Sequence, residues 1–156
     1  MFGGTTMERK QRGFTLIELM ITLAVLAIIA MMAAPSFGTM LDRQNLNRSS
    51  SDLMGTLSKA RAKAAIERRE IRVSIGAGTD TDTTLFWSPT GNAVLNSGTD
   101  IRFMPNGLVR DPTTNVVIGA DTVFEICDNS VDATASKTIS ISRMGTVQIP
   151  VDGDCT

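Results

Sequence analysis

"KQRGFTLIELM", residues 10–20, decides how the whole chain is read, because it sets a carboxylate, Glu18, at the head of a long apolar run. From Leu19 to Leu41 there is no Asp, Glu, Lys or Arg, and Arg9, Lys10 and Arg12 stand just ahead of the run. A helix of ~20 apolar residues crosses a bilayer, and an excess of Lys and Arg marks its cytoplasmic flank. The expected arrangement is a single span with the N-terminus in the cytoplasm and everything after about residue 42 on the far side.

Three explanations compete for this pattern. A cleaved signal peptide wants an apolar core of about 7–15 residues and then a small-residue exit. Here the run is longer, and its best exit, Met32-Ala33-Ala34, is followed by Pro35. A plain anchor accounts for the length and the charge but leaves Glu18 without a role, although an intramembrane carboxylate usually has a function and a partner. A cut between Gly13 and Phe14 supplies that partner: a new α-ammonium on Phe14, one helical turn before Glu18. Glu18 then meets the amine of a neighbouring subunit, satisfies that of its own chain, or stabilises the helix N-terminus through the dipole.

Gly13-Phe14-Thr15-Leu16-Ile17-Glu18 followed by an uncharged apolar helix resembles the class III signal of type IV pilins and of the pseudopilins of type II secretion. The resemblance implies residues 1–13 as a leader, cleavage after Gly13 by a prepilin peptidase, and N-methylation of Phe14. It also implies pairing of Glu18 with a neighbour's N-terminal amine as subunits leave the inner membrane for a filament. Residues 14–37 would be the transmembrane and filament-core helix, and 38–156 a periplasmic head.

Beyond the run, Pro35 predicts a kink, since proline removes a helix hydrogen bond. Leu46, Leu53, Leu57, Ala60 and Ala64 then fall on one face of a continuing amphipathic helix, residues 38–70, which should pack on the head's core. From residue 71 the period changes to short β-type runs: 71–75, 84–87, 93–95, 101–104, 116–118, 122–127, 138–142 and 146–149. Asn106-Gly107, Asn96-Ser97-Gly98 and Arg143-Met144-Gly145 read as turns, and residues 80–84 as a polar loop. The fold class is α+β, a long N-terminal helix on a mostly antiparallel β domain, the pilin fold. "FEIC", then "TISISRMGTVQI", then a last cysteine resembles the heads of the GspH/FimT group of minor pilins and pseudopilins. Ala34-Pro35-Ser36-Phe37 and "LSKARAKAAIERREIRVSI" lean toward its pilus members.

The far side is an oxidising compartment, where the pair Cys127 and Cys155 is expected to be a disulfide. With no histidine and no tyrosine in the 156 residues, Ser-His and Cys-His catalytic pairs and histidine metal sites are excluded. No nucleophile with an activating base stands out, so the chain is read as no enzyme and with no cofactor. Asp80 and Asp82 open like a calcium loop, but Leu85 and Gly91 occupy the places of its glycine and glutamate. Gly76-Ala77-Gly78 opens like a dinucleotide fingerprint without the third glycine or a following helix. Asp152 and Asp154 read as turn residues.

DNA is a possible partner, because some FimT-like proteins bind it. Arg61, Arg68 and Arg72 fall within about 40 degrees on a helical wheel and would form a phosphate-contacting stripe. Glu67 and Glu70 interrupt it, and the acidic C-terminal part repels phosphate. The Gly-Arg-x-Arg pattern of the DNA-binding members reads Gly145-Thr146-Val147-Gln148 here. The reading is therefore a minor type IV pilin with other minor and major pilins as partners. The alternatives are a minor pseudopilin of type II secretion and a DNA-binding pilin of natural transformation.

Overall fold

The computed structural model describes residues 14–129 and 133–155, without the side chains of 32–36. It divides into two compact units, Met1–Gly38 and Thr39–Thr156. Helix α1 is Leu16–Glu67, against the expected span of about 14 to 69. Thr15 caps it, its Oγ1 accepting the Glu18 N–H at 3.3 Å while its carbonyl accepts that of Leu19 at 3.1 Å. At the other end Arg68 takes φ 53, a left-handed conformation that stops the helix.

In the first unit the side chains from Leu16 to Met31 are exposed all round, as expected of a helix that needs lipid or other helices to cover it. Among the described residues no helix is long and apolar enough to cross a membrane. Pro35, where a kink is expected, lies inside the continuous helix α1.

In the second unit the amphipathic face is as read. Leu46, Leu53, Leu57, Ala60 and Ala64 are all buried, each leucine contributing roughly 1.5–3 kcal/mol by leaving water. Eight strands complete the unit: β1 Ile71–Ile75, β2 Thr84–Trp87, β3 Val94–Ser97, β4 Ile101–Phe103, β5 Val109–Arg110, β6 Thr122–Cys127, β7 Ser136–Ile141 and β8 Val151–Gly153. They form two four-stranded sheets, ordered β2-β1-β4-β5 and β3-β6-β7-β8. Ile71, Val73, Ile101, Phe103 and Val109 from the first sheet and Phe124, Ile126, Ile139 and Ile141 from the second join the helix face in one hydrophobic cluster.

All pairings are antiparallel except β1 with β2. Parallel neighbours normally need a crossover of a dozen residues or more, and the link from Ile75 to Thr84 is shorter. The link passes close against the Phe86 ring of β2. A Cβ on Gly78 would sit 2.3 Å from the Phe86 ring, so only glycine lets the backbone pass there. Asp80 Oδ1 then accepts the Phe86 N–H at 2.9 Å.

Three expectations about strands and turns are corrected. Residues 116–118 and 146–149 are not strands: Val117 and Val147 each make one isolated bridge, to Arg110 and Ile141. Short β5 and β8 take the pairing instead. Asn96 and Ser97 belong to β3 rather than to a turn, at a register shift against β6. The two other turns stand, with Gly107 N–H bonded to Met104 O at 2.9 Å and Gly145 N–H to Ser142 O at 2.8 Å.

A polar seam fastens the loop before β3 to the helix. Buried Ser49 accepts the Thr90 N–H through Oγ at 2.9 Å, and Asn92 donates to Asp42 at 2.9 Å. Gly91, at φ +65, lies so close to Asn45 that a Cβ would meet its amide nitrogen at 2.3 Å.

Candidate functional site

The first candidate is the start of α1. Gly13 lies outside the described residues, so the expected cleavage point is described from one side only. Phe14 stands before the helix with its side chain 84% exposed. Glu18 occupies the first turn of the helix. Its own N–H is capped by Thr15, and the Thr-x-x-Glu spacing is that of a capping box. A carboxylate in a first turn also meets the positive end of the helix dipole. The first turn is thus held from within the chain by Thr15, through the backbone of Glu18.

The second candidate is the tail staple in the other unit. Cys127, at the end of β6, is bonded to Cys155 with Cα atoms 5.8 Å apart, and no described cysteine is free. The bond ties the C-terminal segment to the middle of its sheet, alongside the β7–β8 ladder and a bond from Ser136 Oγ to the Asp154 carbonyl at 3.2 Å. Next to it, buried Asp128 accepts the N–H and hydroxyl of Thr134, both at 3.0 Å. Burial alone would raise the Asp128 pKa, but these bonds and the Ala135 N–H outweigh it and hold the carboxyl below its ordinary value.

The three arginines read as one stripe are separated. Arg61 is on the helix, its guanidinium donating to the Met144 carbonyl at 3.2 Å beside the Gly145-Thr146-Val147 turn. Arg68 lies past the helix end, and Arg72 is on β1. Helical geometry does not extend to Arg72, because α1 ends at Glu67, Arg68 turns left-handed and β1 begins at Ile71. Arg72 donates to Asp100 through Nε at 3.2 Å and Nη2 at 2.5 Å. Asp100 also accepts from Ser74 Oγ at 2.9 Å and the Ile75 N–H at 2.8 Å. Desolvation pushes the Asp100 pKa up, but the Ile75, Arg72 and Ser74 donors prevail and lower it.

Asp80 and Asp152 have structural partners. The Phe86 N–H, with Lys59 at 3.4 Å, holds Asp80 below its ordinary value. Asp152 accepts from Lys137 across the β7–β8 ladder. Sequence reasoning missed Asp100, Asp128 and Asn96; none sits in a motif, and Asp100 and Asn96 meet partners 25 and 29 residues away.

The family model for a prokaryotic N-terminal methylation motif matches residues 9–34. A fimbrial protein of Pseudomonas aeruginosa is 36% identical over 75 residues, covering 48% of this chain and 46% of that protein. Fimbrial protein EcpB of Eikenella corrodens is 32% identical over 111 residues, covering 71% of this chain and 59% of that one. The chain thus spans about half the length of the curated relatives it matches. The crystal structure of the type IV minor pilin FimU of Pseudomonas aeruginosa is similar at 18% identity and a TM-score of 0.47, covering 70% of this chain and 91% of that one. The methylation motif thus stands at the head of an exposed apolar helix, in a chain that is similar over part of its length to fimbrial proteins at more than 30% identity.

Proposed function

We propose that the chain is a minor type IV pilin that takes part in pilus assembly. Prepilin peptidase removes residues 1–13 and methylates Phe14. The apolar N-terminal segment, residues 14–37, holds the subunit in the inner membrane with the head in the periplasm. The subunit then joins other minor and major pilins in a complex that primes or caps the fibre. The observation carrying this reading is the methylation-motif match over residues 9–34, coinciding with an exposed Phe14 and with Glu18 one turn into the helix. An apolar helix exposed on every side needs lipid first and neighbouring helices afterwards. A carboxylate in that setting gains most from a cation supplied by the next subunit.

The fimbrial relatives favour a pilus over a secretion pseudopilus. DNA is no part of the reading, since Arg61 and Arg72 already donate to Met144 O and Asp100. The test is mass spectrometry of the mature protein from its own membrane, together with a gene deletion. N-methyl-Phe14 and loss of surface pili are expected. A mature chain beginning at Met1 or near Pro35 overturns the processing, and normal piliation with lost protein secretion moves the subunit to the pseudopilus.

A further inference from the structure

Strand β6 alternates, sending Phe124 and Ile126 into the core and Glu125 and Cys127 to the opposite face. A carboxylate and a sulfur two residues apart are therefore neighbours on one side of the sheet. Cys155 reaches the same place from the tail, which the Ser136–Gly153 pairing of β7 and β8 guides there. A Glu125 carboxylate oxygen and the two sulfurs all lie within 4.8 Å of one another.

A separate feature orients the carboxylate. The register of β3 against β6 shifts between Leu95 and Ser97, leaving Asn96 at the irregularity. Bulges of this kind re-aim a side chain, and Asn96 Nδ2 donates to Glu125 Oε2 at 2.7 Å. Among the described residues Glu125 has no cationic partner. It is a carboxylate held by an outer amide beside two sulfurs, as ligating carboxylates are held.

We propose that Glu125, Cys127 and Cys155 form a zinc site that the disulfide closes and that opens on reduction. Two thiolates and one carboxylate make a three-ligand tetrahedral set for Zn²⁺, with water in the fourth position. A phosphine reductant with water converts the disulfide to two thiols and is itself oxidised to the phosphine oxide. Zn²⁺ then displaces the two thiol protons and accepts the carboxylate as third ligand. The tail is thus tied to β6 by a covalent bond under oxidising conditions and by the metal under reducing ones. Glu125 and Asn96 are the residues that a simple staple would not require. This inference does not depend on the role of the chain in a pilus.

The test uses the full-length chain in non-ionic detergent, reduced with a phosphine, desalted without oxygen and titrated with Co²⁺. One cobalt per chain, a thiolate-to-cobalt charge-transfer band and its loss on adding Zn²⁺ are expected, with no band from the oxidised chain. Cys155→Ser should abolish the band. Glu125→Gln should weaken cobalt binding at least about 10-fold, and Asn96→Ala by about 10-fold, the usual effect of losing an outer-shell partner. Zn²⁺ should also raise the melting temperature of the reduced chain, and oxidised Glu125→Gln should melt like the parent, which separates a lost ligand from a lost fold. No band in the reduced parent overturns the site. Equal affinity in parent and Glu125→Gln overturns it as well, leaving a bare dithiol.

Discussion

Replacing Cys155 with serine is the perturbation whose size is best worked from the structure. The Cys127–Cys155 bond joins residues 28 apart in sequence, and loop-closure entropy for such a loop gives about 3–4 kcal/mol at 25 °C. Against it stands what the tail keeps without the bond: the three β7–β8 register pairs and the Ser136–Asp154 bond. These lie at the sheet edge, where all three β8 residues are exposed, so they add little independent stability. Most of the 3–4 kcal/mol should therefore be lost. For a unit of this size that corresponds to a fall in melting temperature of about 10–20 °C. The assay is thermal unfolding of the full-length chain by circular dichroism in detergent with a chelator present, comparing the oxidised parent, the reduced parent and Cys155→Ser. The reduced parent and the variant should agree. A fall below about 3 °C in both would refute the reasoning, because the edge ladder alone would then be holding the tail.

Three further outcomes follow from the same physics. Ser49→Ala should cost about 1 kcal/mol in urea unfolding, since it removes the buried hydroxyl that accepts the Thr90 N–H; a change under about 0.3 kcal/mol would mean the loop relaxes to water. Asp80, Asp100 and Asp128 have folded pKa values below their ordinary ones, so their stabilisation is complete above the unfolded value near pH ~4 and is lost as pH falls through the lower folded values. Stability should accordingly drop on acidification below pH ~4, and Asp100→Asn should flatten that drop; an unchanged slope in urea melts between pH ~5 and ~2 would contradict the Asp100 geometry. Glu18→Ala should leave N-methyl-Phe14 processing intact while reducing incorporation into filaments, read by shearing and immunoblot, and full incorporation would remove the inter-subunit role.

How much was legible depended on the range of the interaction. The buried face of α1 was readable because Leu46, Leu53, Leu57, Ala60 and Ala64 obey a local period. β1, β2 and β6 were readable for the same reason, as runs long enough to alternate. β5 and β8, with two and three residues, carry no pattern of their own and exist because a neighbouring strand offers them a ladder. The arginine stripe misled because a wheel assumes one geometry throughout, and Arg68 is where that geometry ends.

The candidate site divides in the same way. The opening motif lies within six consecutive residues, Gly13 to Glu18, so its chemistry could be read without any fold. The same holds for the cysteine pair, which needed only a count and a compartment. Asp100 under Arg72, Ser74 and Ile75, Asn96 aimed at Glu125, and Glu125 beside the two sulfurs could not be read that way. The sequence by itself determined the methylation-motif match, the apolar run and the buried helix face, because a short motif, a charge-free run and a helical period are properties of contiguous chain. The tertiary structure alone decided which polar groups meet, because strand register and one bulge set the distances between residues that the sequence keeps far apart.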